Sequence, residues 1–394
     1  THGMCAETGS EAARLDSFTP ADGANYVALT LAPGQGTPAA GGHDVVVLVD
    51  TSASQAGDYR TQGVAALKSL LAELPPEARV QLVAVDVNAV GMTSSFVAPQ
   101  SQEMAGAVAR LEGRVPLGAT DMQKALTAAA ARFADAGSNA RSVVYIGDGM
   151  STANLVGTEA FGELTRTLVD DRIAVSSYAV GPRLDEQVLG ALAANTGGQL
   201  LKASQVTSDN VGTELAAAAQ GTVLWPESVT WPAEFTEVLP ARVPPLRADR
   251  DSLVVGTFSG EGPFEIEMSV ATAEGSKPLK WTIAPNPPQE ANDYIARIVE
   301  VARADGGVSL PLVGSTGLVE AERAIGAGLT RISRMAVEAL SNNDLDNAER
   351  LAREALRQDP GDPNAKVVLT AVQRRQTDDA GPGAPNVADL DLAG

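Results

Sequence analysis

Cysteine and histidine are almost missing from this chain. Its 394 residues include one cysteine, Cys5, and two histidines. A lone cysteine excludes a small domain stapled by internal disulfides. So few thiol and imidazole groups also argue against a zinc site. A serine–histidine–aspartate triad has no usable histidine, because His43 stands at the start of a predicted strand, away from Ser52. With no G-x-x-x-x-G-K-[ST] phosphate loop either, we expect a protein that is not an enzyme.

Long apolar runs and basic side chains are also scarce. No apolar run is long enough for a transmembrane helix. Lysine and arginine together number 29 against 49 aspartates and glutamates, which gives a formal net charge of −20. Such an acidic surface repels nucleic acid and anionic membranes. We therefore expect no nucleic-acid partner and no direct membrane span.

What the chain does have is a cluster of oxygen donors behind a predicted buried strand. Residues 44–49 form an apolar run, which Asp50-Thr51-Ser52-Ala53-Ser54 follows at the spacing D-x-S-x-S. Open α/β sheets bind ligands at the carboxyl ends of their strands. Carboxylate and hydroxyl oxygens are hard ligands that suit Mg²⁺ or Mn²⁺.

Two further loops supply residues of the same kind. Thr120 precedes a helical pattern over residues 122–133, and Asp148 ends a second apolar run over residues 143–147. Serine and aspartate also serve as helix caps and turn formers. Capping, however, does not require three such loops, each at the end of a suitable element. We therefore favour a metal site over a purely local role.

The set resembles, in order and in context, the metal-ion-dependent adhesion site of von Willebrand factor A domains; it comprises Asp50, Ser52, Ser54, Thr120 and Asp148. The resemblance implies Mg²⁺ as the cofactor, with Mn²⁺ or Ca²⁺ as substitutes. It implies that Ser52, Ser54 and sometimes Thr120 bind directly and that the aspartates bind directly or through water. It also implies that an Asp or Glu of a partner protein completes the coordination. It also implies that Thr120 couples ligand binding to the last helix of the domain, predicted over residues 206–220.

Two positions depart from the family pattern. Gln55 replaces the apolar residue often found after the second serine, and Gly147 stands where threonine commonly precedes the aspartate. Neither departure removes a ligand, but both touch the wall of the predicted site.

The fold class predicted from the pattern of elements is α/β. Strands alternating with helices over residues 43–222 indicate a doubly wound, mainly parallel, Rossmann-like sheet, here the vWA domain. Short alternating runs over residues 223–284 predict a small antiparallel β-sandwich. A strand within residues 21–42 has no partner in the α/β domain, so we expect it to pair with the sandwich, with the vWA domain inserted between them. This arrangement resembles the integrin hybrid domain and, more loosely, inter-α-trypsin-inhibitor heavy-chain-like proteins.

The two ends of the chain differ from this middle part. Residues 1–20 and the acidic tail 377–394 are polar and are expected to be disordered. Residues 285–376 predict helices, among which Ala348, Ala352, Ala355 and Pro360 resemble the small residues and closing proline of a tetratricopeptide repeat. We expect this helical C-terminus to offer a second surface for assembly partners.

Two functions from different classes follow. The first is a metal-dependent protein-binding module for adhesion or assembly. The alternative is a scaffold or assembly subunit of a cell-envelope complex, in which the metal is only structural or absent. The composition is typical of a GC-rich bacterium, and we expect the protein at the cell surface, in the periplasm or secreted. Because the sequence starts at Thr1, any signal sequence is expected upstream of it.

Overall fold

A computed structural model describes residues 13–21, 23–33, 42–134, 137, 139–272, 275–358 and 362–378. The segments 1–12 and 379–394 and the proline at 360, for which disorder or a repeat role is predicted, lie outside these residues. The strands are, in chain order, β1 (Ala13–Phe18), β2 (Tyr26–Leu31), β3 (His43–Asp50), β4 (Arg79–Val85), β5 (Ala89–Gly91), β6 (Ala140–Gly147), β7 (Ile173–Ala179), β8 (Leu200–Lys202), β9 (Val223–Thr230), β10 (Phe235–Leu239), β11 (Leu246–Arg247), β12 (Ser252–Phe258), β13 (Phe264–Thr272) and β14 (Gly275–Ile283).

The helices alternate with the strands of the α/β domain and then dominate the C-terminal part. They are α1 (Asp58–Glu73), α2 (Gln102–Glu112), α3 (Met122–Ala131), α4 (Thr158–Asp170), α5 (Glu186–Thr196), α6 (Val211–Gln220), α7 (Tyr294–Arg303), α8 (Gly314–Ser341), α9 (Leu345–Gln358) and α10 (Pro363–Asp378). Within the described ranges, none of them is long and apolar enough to cross a membrane. The chain divides into two compact units, Thr1–Leu318 and Val319–Gly394.

A six-stranded sheet lies at the centre of the first unit. Its order is β5-β4-β3-β6-β7-β8, and all neighbours are parallel except the β4–β5 pair. Alternate residues of β3 enter opposite cores: Val47 packs with α1 and α6, whereas Leu48 packs with α3, α4 and α5. Because both faces are covered, the central strands are apolar throughout. The predicted doubly wound α/β fold is confirmed.

Two four-stranded antiparallel sheets belong to the same unit. Their orders are β1-β2-β12-β10 and β11-β9-β13-β14, and one apolar cluster contains side chains from both. Strand β2 pairs with β12 in the register Leu29↔Val254 rather than with the parallel sheet. This pairing supports the predicted insertion of the α/β domain between strands of the antiparallel sheets, which stays a prediction here.

The structure corrects two expectations about local order. Residues 13–18, expected to be disordered, form β1 and pair with β2 in the register Leu15↔Leu29. Leu15 enters the core of the antiparallel sheets, so a single well-placed apolar residue fixes a strand that is otherwise polar. Helix α10 continues to Asp378, past the predicted start of the tail at residue 377.

Arg247, at the end of β11, is the largest fully buried side chain among the described residues. Its guanidinium donates to the carbonyls of Gly197, at the end of α5, and of Ala218, in the last turn of α6, at 3.1 and 3.2 Å. Asp249 accepts two further hydrogen bonds of 2.7 Å each. Helices end with unpaired carbonyls and a partial negative charge. Arg247 thus stabilises two helix ends of the α/β domain from outside that domain.

Arg250 repeats this contact with α5. It donates to the carbonyls of Ala193 and Gly198 at 3.3 and 2.9 Å. Burial, with a smaller contribution from the charge of Arg247, lowers the pKa of Arg250 to about 10. The side chain of Arg250 therefore stays protonated at neutral pH and remains a cation among carbonyl groups.

The second unit has a core of its own, built mainly from small residues. Ala336 of α8, Ala348 and Ala352 of α9, and Ala365 and Val368 of α10 are fully buried in it. Alanines at these positions let helices approach closely. Membership in the tetratricopeptide family stays a prediction.

Replacing Arg247 with alanine should destabilise the first unit by about 3 kcal/mol, because several carbonyls and Asp249 lose a buried charged partner. Urea unfolding followed by circular dichroism measures the loss. The matched control is Arg242→Ala, which removes an exposed ion pair with Asp170 and should cost less than about 1 kcal/mol. Equal losses in the two variants would contradict the role given to Arg247.

Candidate metal centre

The carboxylate of Asp50 is the point at which three chain segments meet. Asp50 ends β3, and its Oδ1 accepts a hydrogen bond of 2.8 Å from the backbone N–H of Ser52. The hydroxyl of Thr120 lies 3.1 Å from Oδ1 and 3.0 Å from Oδ2. The hydroxyl of Tyr145, on β6, donates to Oδ2 at 2.8 Å. The buried charge is thus surrounded by donors from three different parts of the sequence.

The serines of the D-x-S-x-S motif lie beside this carboxylate. The hydroxyls of Ser52 and Ser54 are 2.9 Å apart and share a hydrogen bond. The backbone N–H of Ala53 donates to the carbonyl of Gly118 at 3.1 Å, which ties the serine loop to the loop of Thr120. The hydroxyls of Ser54 and Thr120, which are 66 positions apart in the sequence, are therefore held at one edge of the sheet.

Asp148 follows the end of the neighbouring strand β6. Its Oδ1 accepts a hydrogen bond of 3.0 Å from the N–H of Met150. Its Oδ2 is buried and has no hydrogen-bond partner among the described residues. Asp50 and Asp148 are both almost fully buried, at 2% and 1% exposure. One carboxylate is therefore well supplied with donors, while the other has an oxygen left without one.

Tyr145 is a member of the site that the sequence reasoning missed. It lies opposite Leu48 on β3, and its hydroxyl also accepts a hydrogen bond of 3.2 Å from the N–H of Gly149. A Cβ atom at position 147 would come within 2.5 Å of both the Tyr145 hydroxyl and the Cβ of Asp50. The departure to Gly147 is thus explained, because glycine leaves the space that the Tyr145 hydroxyl uses. A lone tyrosine in an aliphatic strand was the available signal, since a buried hydroxyl needs a partner.

Gln55, the other departure, also has a structural role. Its side chain is buried, and its Nε2 donates to the carbonyl of Val180 at 3.1 Å. Val180 follows β7, so Gln55 links the serine loop to the next strand end. Gln55 thus makes the wall of the site polar, but its amide nitrogen donates to a backbone carbonyl.

Burial dominates the electrostatics of the site. Removal from water raises the pKa of the Asp50 carboxyl above its ordinary value of 3.8, hydrogen bonds from Ser52 and Tyr145 oppose that rise, and the charge of Asp148 adds to it. Burial also raises the pKa of Tyr145 well above 10.0, and the charges of Asp50 and Asp148 act in the same direction. Tyr145 therefore stays protonated and can keep donating to Asp50.

The donors gathered here are all oxygens, two carboxylates and three hydroxyls. Within the described ranges, no group of three or more His, Cys, Asp and Glu side chains is placed to hold a metal ion. The arrangement thus lacks the nitrogen and sulfur ligands of zinc sites and matches the hard ligands preferred by Mg²⁺.

Comparison with known families identifies the domain that carries this site. Residues 43–201 match the family model described as the von Willebrand factor type A domain. Residues 43–201 therefore form a vWA domain. Domains of this family are typically protein-interaction modules. No curated protein matches the sequence.

One solved structure shows a likeness in fold, and two others match with TM-scores below 0.5. A von Willebrand factor type A protein from Catenulispora acidiphila has a TM-score of 0.52 at 15% identity, covering 91% of this chain and 89% of that one. The ArnB paralog VWA2 from Sulfolobus acidocaldarius has a TM-score of 0.41 at 14% identity, covering 92% of both chains. Proximal thread matrix protein 1 from the mussel byssus, with a zinc-occupied MIDAS motif, has a TM-score of 0.38 at 16% identity, covering 47% of this chain and 50% of that one.

In this vWA domain the structure brings the sequence-predicted residues to one edge of the sheet. Asp50, Ser52, Ser54 and Thr120 are joined by direct hydrogen bonds. The charge of Asp148 raises the pKa of Asp50. The backbone next to Asp148 also contacts the site, because the N–H of Gly149 donates to the hydroxyl of Tyr145. Their role as metal ligands stays a prediction.

Replacing Tyr145 with phenylalanine should lower the free energy of unfolding by about 2 kcal/mol, because hydrogen bonds to charged groups contribute more than neutral ones. Urea unfolding in EDTA measures this. Tyr178→Phe is the matched control: Tyr178 is a buried tyrosine on the adjacent β7, and its hydroxyl bonds to none of the described residues. The control should lose little stability. A loss in Tyr178→Phe as large as in Tyr145→Phe would contradict the assignment.

Replacing Asp50 with asparagine should change how stability depends on pH in metal-free protein. A folded pKa above the unfolded value means that the folded state binds the proton more tightly, so stability falls as pH rises from 3.8 through the raised pKa. Asparagine has no such titration. The stability of the variant relative to wild type should therefore increase as the pH rises from 3.8 through the raised pKa of Asp50, as measured by urea unfolding in EDTA. A pH-independent difference would contradict the raised pKa.

Proposed function

We propose that this vWA domain is a metal-dependent protein-binding module. Mg²⁺, or Mn²⁺ or Ca²⁺ in its place, would be held by Asp50, Ser52, Ser54, Thr120 and Asp148. When bound, the ion supplies an electropositive centre whose coordination an Asp or Glu of a partner protein completes. The partner would be engaged for adhesion or assembly, with no enzymatic step.

The observation that carries this proposal is the unsatisfied Oδ2 of Asp148. A buried carboxylate oxygen without a donor is costly, and such atoms are rare in folded proteins. Here the atom lies in a site whose other polar groups are hydroxyls and a second carboxylate. A cation bound by Asp148 would remove the imbalance. The residues present therefore fit a hard divalent ion.

The chemistry of the donors supports binding of an acidic partner. Three of the five proposed ligands are hydroxyls and carry no charge. Serine and threonine hydroxyls orient their oxygens toward a cation without neutralising it. The ligand set therefore favours a further anionic ligand, and an acidic side chain of a partner is the simplest one for a protein-interaction domain.

One observation favours the alternative function, a structural scaffold. Asp50 already has hydrogen bonds from Ser52, Thr120 and Tyr145. These bonds hold the three segments together without an ion. In a scaffold of the cell envelope, the loops would need no metal, and permanent contacts would come from the antiparallel sheets or from the alanine-rich helices of the second unit.

The remaining parts of the chain fit either function. We propose the antiparallel sheets as a β-sandwich into which the vWA domain is inserted, and the helices α8 to α10 as a tetratricopeptide-like surface for assembly partners. A bacterial cell-surface, periplasmic or secreted location is consistent with such contacts.

Isothermal titration of Mg²⁺ and Mn²⁺ into EDTA-stripped protein tests the proposal. Wild type should bind one ion saturably, and Ser52→Ala/Ser54→Ala should lose binding at least tenfold, because two of five ligands are gone. The matched control is Ser94→Ala/Ser95→Ala, which changes two exposed serines outside the site. The control should bind as wild type does.

Absence of saturable binding in the wild type would overturn the metal-dependent function and favour the scaffold. Equal binding by wild type and by Ser52→Ala/Ser54→Ala would show that the ion binds elsewhere. Circular dichroism of each variant establishes whether a loss of binding reflects a loss of fold.

A further inference from the structure

The three most exposed large apolar side chains among the described residues lie on two loops that are hydrogen-bonded to each other. Among the described residues, the three highest exposures are those of Leu155 at 87%, Val115 at 68% and Leu117 at 67%. Next is Val301 on α7, at 60%. Single exposed apolar residues are normal on protein surfaces, but a group of them marks an interaction site.

These three residues lie on the loops that build the candidate metal centre. Val115 and Leu117 belong to the loop that leads to Thr120, and the N–H of Leu117 donates to the carbonyl of Thr51 at 3.0 Å. Leu155 belongs to the loop that follows Asp148. We call Val115, Leu117 and Leu155 the apolar rim.

The two loops of the apolar rim are tied to each other. The N–H of Ala153 donates to the carbonyl of Thr120 at 3.0 Å, and the hydroxyl of Ser151 accepts from the N–H of Met122 at 3.1 Å. Asn154, next to Leu155, donates to Gln123 at 3.3 Å. The rim is therefore carried by the same hydrogen-bonded loops that hold Thr120 and Asp148.

An unpaired cation lies on a third loop at the same end of the sheet. Arg183 is exposed and makes no hydrogen bond or ion pair with any described residue. Its loop packs on the metal-site aspartate: the N–H of Asp185 donates to the carbonyl of Asp148 at 2.8 Å, and a Cβ at Gly181 would meet the Cβ of Asp148 at 2.5 Å. In a chain of net charge −20, an exposed guanidinium on a loop that packs against Asp148 attracts an anionic partner.

We propose that the apolar rim and Arg183 bind an extended segment of a partner protein in which an Asp or Glu is flanked by a large apolar side chain. This proposal deepens the proposed function and rests on it: the acidic residue reaches the metal centre, and the neighbouring apolar side chain covers the rim. Arg183 pairs with a second carboxylate of the segment.

The charge of the protein and the polarity of this face favour a partner segment of this kind. A nucleic acid or an anionic membrane would face the repulsion of a strongly acidic protein. A purely apolar segment would leave Arg183 and the metal centre without partners, and a purely acidic one would leave the rim in water. A segment that combines both features provides a partner for the apolar rim, for Arg183 and for the metal centre.

Selection from a displayed random peptide library tests the proposal. The full chain is immobilised, and peptides are selected in parallel in Mg²⁺ and in EDTA. Peptides enriched only in Mg²⁺ should carry an Asp or Glu with Leu, Ile, Val, Met or Phe within two positions. The best of them is then synthesised, and its affinity is measured by fluorescence anisotropy.

Variants assign the contacts. Leu117→Ser and Leu155→Ser should each weaken the selected peptide about tenfold, since covering a leucine contributes on that order, while Mg²⁺ affinity stays unchanged. Arg183→Gln should weaken it severalfold, and less at high salt. Val301→Ser is the matched control, because Val301 is also an exposed apolar residue, at 60%, and is remote in sequence. This variant should bind the peptide as wild type does.

The results distinguish a failure of the metal-dependent function from a failure of the partner segment proposed here. Mg²⁺-dependent peptides that carry an acidic residue but no apolar neighbour would overturn the rim and leave the metal-dependent function standing. Unchanged peptide binding by both Leu117→Ser and Leu155→Ser would also overturn the role of the apolar rim and leave the metal-dependent function standing. A lack of any Mg²⁺-dependent enrichment, in protein that binds Mg²⁺ by calorimetry, would overturn the occupant proposed here.

Discussion

A buried carboxylate is the constraint on which this site depends. Asp50 ends the central strand of the sheet, where its charge is removed from water and has to be compensated locally. Donors come from the serine loop, from the loop of Thr120 and from Tyr145 on the adjacent strand. Satisfying one charge therefore fixes the relative positions of segments that lie 70 and 95 residues away from Asp50. The geometry of the candidate metal centre therefore follows from the need to compensate the buried charge of Asp50.

The two aspartates of the site have different environments, and the difference has chemical meaning. Asp50 is saturated with hydrogen-bond donors, whereas an oxygen of Asp148 lacks one within the described residues. Asp50 thus acts as the organiser of the loops, and Asp148 is the side chain with coordination capacity to spare. Tyr145 takes part in this division of roles, because it donates to Asp50 and accepts from the backbone beside Asp148.

Much of this arrangement could be predicted from the sequence, and the reasons for success and failure are physical. Apolar runs that end in Asp50 and Asp148 indicate buried parallel strands, and parallel strands bring their ends to one edge. The prediction of the α/β fold depended on this and was correct. Tyr145 was missed because a strand residue's partner on another strand depends on register, which periodicity does not give. Strand β1 was missed because its stability comes from pairing with β2 and from Leu15 rather than from its own composition. The contacts of Arg247 depend on how a distant turn meets two helix ends, which no local pattern reports.

Those contacts of Arg247 bear on how such a domain is inherited. Modular domains move between proteins by recombination most readily when their stability is self-contained. Here the carbonyls at the C-terminal ends of α5 and α6 accept hydrogen bonds from Arg247 and Arg250. These arginines lie 27 and 30 positions after Gln220, the last residue of the last helix of the domain. A gene segment that encoded the α/β part alone would leave these donors behind. The arginine-bearing turn and the vWA domain are therefore expected to have diverged as one evolutionary unit, with substitutions on either side compensated on the other.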